Sequence, residues 1–276
     1  MTGSLKFLAA LVALLLLTTL LGAPRLSSRA RTPEARTQEQ NAATLDPCAA
    51  LTPYQKSQLN QTLYDWAFLA KYKAANAALP APAPNENRVV FMGDSITEGW
   101  GQKATAYAPD RGEFFPGQPY INRGISGQTT PQMLVRFRED VLALKPKAVV
   151  ILAGINDIAG NTGPATQDEI TGNLASMAEL ARIDGIRVVL CSVLPAIDFP
   201  WHRGLEPAPK VRALNVWIKE YAAKNNFVYV DYYTSMVNAD GGMKTELGID
   251  GVHPNKAGYA VMAPLAEKGI AQALAK

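Results

Sequence analysis

The chain has 276 residues, 48% hydrophobic and 18% charged, with a formal net charge of +3. That length holds one sizeable domain with appendages, and the composition is globular rather than disordered. Arg25, Arg29, Arg31 and Arg36 carry the positive excess, the remainder is near neutral, and no aromatic-interleaved basic patch appears, so charge argues against a nucleic-acid partner.

From the N-terminus, Lys6 precedes an apolar run from Phe7 to Leu21 broken only by Thr18 and Thr19. Ser28-Arg29-Ala30 supplies small residues at the two positions a signal peptidase reads, so residues 1–30 are expected to be a secretory signal peptide. The alternative is an uncleaved anchor, because Leu5 to Ala23 nearly reaches the ~20 residues that span a bilayer. Membrane contact is expected only through this segment, and the mature chain is expected to be secreted or periplasmic. Residues 31–50 are polar and read as a flexible tether. Cys48 and Cys191 are the two cysteines. They could pair in an oxidising compartment, but Cys191 sits in an apolar run and reads more simply as a buried thiol. Two cysteines and two histidines at no recognised spacing give no metal site.

Residues 51–87 form the next segment. Thr52-Pro53 is a helix start. Leu59, Leu63, Trp66 and Ala70 recur at helical spacing, predicting one helix to about Ala78 with a packing stripe, followed by a stiff linker at Pro80, Pro82 and Pro84. From residue 88 to 276 the pattern alternates. Strands are predicted at Arg88–Met92, Pro119–Asn122, Ala148–Leu152, Val188–Val193 and Phe227–Val230. Helices are predicted from Thr130-Pro131, over Asp168–Ile183 and Pro209–Asn225, and after Pro254. Short, continuously apolar strands alternating with helices indicate a parallel sheet covered on both faces.

The polar motifs fall at strand ends. Gly93-Asp94-Ser95 follows the first strand, Gly124-Ile125-Ser126-Gly127-Gln128 the second and Gly154-Ile155-Asn156-Asp157 the third, while Asp250-Gly251-Val252-His253 lies beyond the fifth. Parallel strands bring all four to one edge of the sheet. Ser95 is a candidate nucleophile and His253 a candidate base. Asp250, three residues earlier, can orient the imidazole through a local turn, although such pairs also arise as helix starts. Gly127 offers a backbone N–H that a substrate can approach, or is an ordinary turn glycine. Asn156 offers an amide N–H, or is a turn residue. His202, the other histidine, lies in a proline-flanked loop without a carboxylate at comparable spacing and reads as a rim residue. The stretches Trp100–Pro119 and Leu194–Pro209 carry Trp100, Tyr107, Phe114, Phe115, Phe199 and Trp201, which either wall a substrate pocket or pack the loops.

In order, Gly93-Asp94-Ser95-Ile96-Thr97, Gly127, Gly154-Ile155-Asn156-Asp157 and Asp250-Gly251-Val252-His253-Pro254 resemble the blocks of the SGNH (GDSL-type) hydrolase family, over about Arg88 to the C-terminus. The resemblance implies an α/β fold, a three-layer α/β/α sandwich of flavodoxin-like type with a five-stranded parallel sheet. It implies Ser95 as nucleophile, His253 as base, Asp250 as its partner, and Ser95 N–H, Gly127 N–H and Asn156 as oxyanion donors. It further implies a serine esterase acting without metal or cofactor on small-molecule or carbohydrate esters, short acyl groups such as acetyl foremost. Alternatives on the same fold are an acyltransferase, a lysophospholipase- or thioesterase-like lipid acylhydrolase, and a non-catalytic sugar-binding module. The nucleophile elbow of the α/β-hydrolases is excluded because Thr97 stands where that turn needs glycine. A dinucleotide-binding fold lacks its Gly-x-Gly-x-x-Gly turn here.

Overall fold

The computed structural model describes residues 51–105 and 108–276. The expectations for residues 1–50, including the leader, the tether and Cys48, lie outside the described residues, as does Tyr107. Among the described residues no helix is long and apolar enough to cross a membrane. The chain divides at Lys56/Ser57, and the sheet and the site belong to the second unit.

Five short strands, β1 (Val89–Gly93), β2 (Tyr120–Gly124), β3 (Ala148–Leu152), β4 (Arg187–Cys191) and β5 (Val228–Val230), form one parallel sheet in the order β2-β1-β3-β4-β5. Every residue of β1 and β3 is buried, as their unbroken apolar sequences require when helices cover both faces. Helices α4 (Thr130–Asp140), α6 (Gln167–Ile183) and α7 (Pro207–Lys224) pack side by side, and α9 (Lys256–Leu274) packs on β3, β4 and β5. Short helices α3 (Ser95–Glu98), α5 (Ile155–Ile158) and α8 (Tyr233–Met236) follow β1, β3 and β5 directly. Each sequence-predicted strand is present within two residues at either end.

The chain order reverses direction between β1 and β3, the switch point where open α/β sheets hold ligands. Register makes this a common edge: Gly93 lies opposite Gly124 on one side and Leu152 on the other. The three loops after these strands therefore leave the sheet at one level. Gly124 is needed there for close approach, since a Cβ on it would lie 2.1 Å from the Glu98 amide nitrogen.

The segment before the sheet departs from expectation. It forms two helices, α1 (Pro53–Tyr64) and α2 (Lys73–Ala78), rather than one. The break is chemical. The Asp65 carboxylate accepts the amides of Leu69 (2.7 Å) and Ala70 (3.0 Å), and Phe68 takes a left-handed φ of 58°. These bonds offer the backbone an alternative to the helical ladder. Nor is the predicted stripe a packing face: Leu59, Leu63 and Trp66 are exposed. The segment is instead tied down by polar groups. Gln128 Nε2 donates to Ala67 O (2.8 Å), Gln132 Nε2 to Trp66 O (2.7 Å), and Asn76 Nδ2 to Asp140 Oδ1 (2.7 Å), while the Tyr72 hydroxyl donates to Gly124 O.

Candidate active site

Ser95 stands two residues past the end of β1 and opens α3. Asp94 caps that helix, its Oδ1 accepting Ile96 N at 2.9 Å. Asp94 is completely buried and its Oδ2 has no partner, so burial pushes its carboxyl up to about 7, against the Ile96 amide and the nearby His253, which pull it down.

Ser95 Oγ lies 2.9 Å from His253 Nε2, and His253 Nδ1 lies 2.7 Å from Asp250 Oδ2. The residues Ser95 and His253 are 158 positions apart, whereas Asp250 meets His253 through its own turn. Within it Asp250 Oδ1 accepts the amides of Val252 (3.0 Å) and His253 (2.8 Å). Partial burial opposes ionisation of Asp250, but these bonds from His253 and Val252 hold its carboxyl well below the usual carboxylate range. Asn255 then starts α9, its Oδ1 accepting Gly258 N at 3.0 Å.

Gly127 and Asn156 complete the same cleft, of about 330 Å³, together with Gln102, Arg111, Ser126, Asn161 and Trp201. Gly127 adopts a φ of 78°, open to glycine and strained for other residues. Asn156 is buried. Its Nδ2 donates to Gln128 O (3.0 Å) and its Oδ1 accepts Asn161 Nδ2 (3.0 Å), which fixes the amide's orientation and leaves its second N–H uncommitted. Asp157, beside it, has a structural explanation: its carboxylate accepts Thr130 N (3.0 Å) and Thr130 Oγ1 (2.6 Å) at the start of α4. Burial nevertheless pushes its carboxyl above the usual range.

His202 takes no part. Its Nδ1 pairs with Ala159 O at 2.7 Å, and it lines a separate cavity of about 400 Å³ with Ile158, Leu205 and Leu214. That cavity shares no lining residue with the Ser95 cleft. Of the aromatics in the two long loops, Trp100, Phe115 and Phe199 are buried, and Phe114 packs edge-on against Phe91. Only Trp201 among these described residues lines the cleft, its ring centroid 5.8 Å from that of His253. Cys191 is buried in β4, and burial pushes its thiol up to about 12.

Sequence patterning missed the residues that frame the cleft. The Glu98 carboxylate accepts Ser126 N at 2.7 Å and the Ser126 hydroxyl, and pairs with Lys71. Arg136, fully buried, donates to Gln128 Oε1 (2.6 Å), Asp140 Oδ2 (2.9 Å) and Gly93 O (3.1 Å). Arg136 and Asp140 stand one helical turn apart on α4, but Glu98–Ser126, Glu98–Lys71 and Arg136–Gly93 join residues 27 to 43 positions apart, and no local spacing announces those pairings.

An acidic residue, an imidazole and a hydroxyl in line, with amide donors opposite, can transfer a proton and stabilise a developing oxyanion. Comparison with known proteins points the same way. A solved GDSL-like lipase from Bacteroides thetaiotaomicron superposes with a TM-score of 0.70 at 47% identity, covering 76% of this chain and all of that one. An acetylxylan esterase of Xylanibacter ruminicola is 27% identical over 237 residues, 75% of this chain and 46% of that protein. The lipoprotein YqeF of Bacillus subtilis is 30% identical over 144 residues, 46% of this chain and 59% of that protein. The chain thus spans about half the length of these two curated relatives. Residues 91–261, which reach from β1 into α9, match the model of the GDSL-like lipase/acylhydrolase family, and the chain belongs to that family.

Proposed function

We propose that the protein is a serine esterase that hydrolyses short-chain acyl esters, acetyl esters of carbohydrates or small molecules in particular, through a covalent acyl-enzyme. The observation that carries this reading is the unbroken relay from Asp250 Oδ2 to His253 Nδ1 (2.7 Å) and from His253 Nε2 to Ser95 Oγ (2.9 Å).

In this reading His253 takes the Ser95 proton as the oxygen attacks the ester carbonyl. Asp250, ionised because its bonds hold it so, fixes the tautomer with Nε2 facing the serine and stabilises the imidazolium. The carbonyl oxygen becomes an oxyanion held by Ser95 N–H, Gly127 N–H and the uncommitted N–H of Asn156. Collapse expels the alcohol with the proton from His253. Water, deprotonated by His253, then attacks the acyl-serine and releases the carboxylic acid.

Acetyl is the favoured acyl group because the described residues lining the cleft at Ser95 include Gln102, Arg111, Asn156 and Asn161, polar groups that a long acyl chain would desolvate. The large apolar cavity lies elsewhere. The acetylxylan esterase among the relatives supports a carbohydrate ester. Secretion to where polysaccharides are met agrees with the leader-like first 30 residues.

The test is hydrolysis of p-nitrophenyl esters of increasing chain length, with a fluorophosphonate label. Wild type is expected to prefer acetate and to label, and Ser95→Ala to lose both while keeping its fold by circular dichroism. Undiminished hydrolysis by Ser95→Ala would remove the assignment.

A further inference from the structure

We propose that the cavity adjoining the Ser95 cleft, walled by Trp66 and Trp201, is a subsite for a further sugar ring of an O-acetylated oligosaccharide. The inference rests on the esterase reading above and names the alcohol part of its substrate.

The cavity has a volume of about 530 Å³ and meets the catalytic cleft along Ser126, Gly127, Asn161 and Trp201. Its far wall is Trp66 and Phe68, from the segment between α1 and α2. The chain has four tryptophans. Trp100 is buried, and Trp217 stacks on Tyr221 at 4.6 Å. The remaining two, Trp66 and Trp201, are 38% and 45% exposed, and both face this one cavity. Tryptophan in a packed protein surrenders most of its surface, so two exposed indoles on one concavity mark a binding surface rather than a core.

The remaining lining decides what binds. It is made of amides and hydroxyls, with Gln61, Thr162 and Asn161 among them, and among the described residues no charged side chain or histidine belongs to it. A phosphate or other anionic headgroup would find no counter-charge. An acyl chain would cover the amide and hydroxyl groups of Gln61 and Thr162 while offering them no hydrogen bond. A pyranose suits both features: its C–H face covers an indole, and its hydroxyls meet amides around the rim.

Both walls are fixed to the catalytic frame. Trp201 Nε1 donates to Asn161 Oδ1 (3.1 Å), and Asn161 Nδ2 donates to Gly127 O (3.1 Å) and Asn156 Oδ1 (3.0 Å). Trp66 is held by its carbonyl, which accepts from Gln132 Nε2. The main chain that carries Trp66 is therefore anchored to the helix that follows the Gly127 loop. Preorganised walls of this kind spend little of the binding energy on ordering.

The experiment measures acetate release from acetylated xylotriose, from a mono-acetylated methyl xyloside and from p-nitrophenyl acetate, by wild type, Trp66→Ala and Trp66→Phe. Wild type should favour the trisaccharide over the single ring by about tenfold in kcat/KM, the scale of one good aromatic contact. Trp66→Ala should bring that ratio near one, through KM, and Trp66→Phe should keep most of it. A wild-type ratio near one, or an unaltered ratio in Trp66→Ala, overturns the subsite. Should wild type hydrolyse none of the three, the esterase reading falls by itself. Titration with unacetylated xylotriose, followed by tryptophan fluorescence, then decides the subsite: saturable quenching lost in Trp66→Ala supports it, and no binding to wild type removes it.

Discussion

Glu98 and Ser126 are joined twice through one carboxylate oxygen, which accepts the Ser126 amide at 2.7 Å and its hydroxyl as well. Glu98 ends the four-residue helix that Ser95 begins, and Ser126 precedes Gly127. The pair thus couples the hydroxyl-bearing helix to the loop that offers Gly127 N–H. Burial opposes the charge on Glu98, but Lys71 and Ser126 hold its carboxyl below the usual range.

Glu98 is accordingly a positioning residue. On the proposed esterase mechanism, Glu98→Ala is expected to lower kcat about tenfold or more with little change in KM, because displacement of Gly127 N–H, the proposed oxyanion donor, would weaken only the transition state. Glu98→Gln, which keeps an acceptor for Ser126, should recover part of the loss. Steady-state kinetics on p-nitrophenyl acetate, with active sites counted by fluorophosphonate labelling, separates this from a fold defect, which would lower the labelled fraction rather than kcat per labelled site.

Asn156→Ala removes an amide already oriented by Gln128 and Asn161. If its free N–H meets the oxyanion, kcat should fall by about a hundredfold or more. The checking measurement is kcat against thermal midpoint. A modest kinetic change with a large drop in stability would assign Asn156 to the loop scaffold instead.

Asp250→Asn keeps an oxygen for the Val252 and His253 amides but loses the carboxylate that accepts from the imidazole Nδ1. The expected fall in kcat is about 10⁴-fold, as when the wrong tautomer is imposed on a triad histidine. Because the folded-state carboxyl is depressed, its contribution to stability is present above its unfolded value and is lost only as pH falls into strong acid. Urea melts at pH 7 and in the acid range should show Asp250→Asn approaching wild type only at the acid end.

Asp94 has the opposite sign. Its folded-state carboxyl is raised to about 7 from an ordinary 3.8, so its favourable contribution is complete below the unfolded value and is lost as pH rises through 7. Wild-type stability relative to Asp94→Asn, which retains the cap on Ile96, should decline between these values by at most ~1.4 kcal/mol per pH unit and then level off. A pH-independent difference between the two proteins would show that the carboxyl is not displaced.

Arg136 is expected to be indispensable to the frame. Arg136→Met removes the guanidinium from Asp140 Oδ2, Gln128 Oε1 and Gly93 O, leaving the buried Asp140 carboxylate with Asn76 Nδ2 but no counter-charge on α4. The loss should be about 3–5 kcal/mol by urea unfolding, the range for breaking a buried ion pair from one side. A loss below ~1 kcal/mol would mean that the pocket admits water to replace the guanidinium.

Much of this protein is determined by sequence alone, because the relevant physics is local. Continuous apolar runs such as Val89–Met92 can be satisfied only between two layers of helix, and a polar block after each run must lie at the strand's carboxyl end. The turn from Asp250 to His253 closes within four residues, so its pairing is readable from spacing. Tertiary structure decided what depends on distant partners. Residues 51–78 carry a helical stripe, yet Asp65 breaks the helix through its own carboxylate and Gln128 and Gln132 claim the carbonyls of Ala67 and Trp66 from more than 60 residues away. Nothing in the periodicity of Leu59, Leu63 and Trp66 distinguishes an indole that packs from one that stays exposed on a cavity; only the placement of Trp201 across the same cavity does. Apolar periodicity reports how much surface an element buries against its neighbours. It does not report side-chain hydrogen bonds between segments, and in this molecule those bonds set the cleft's walls.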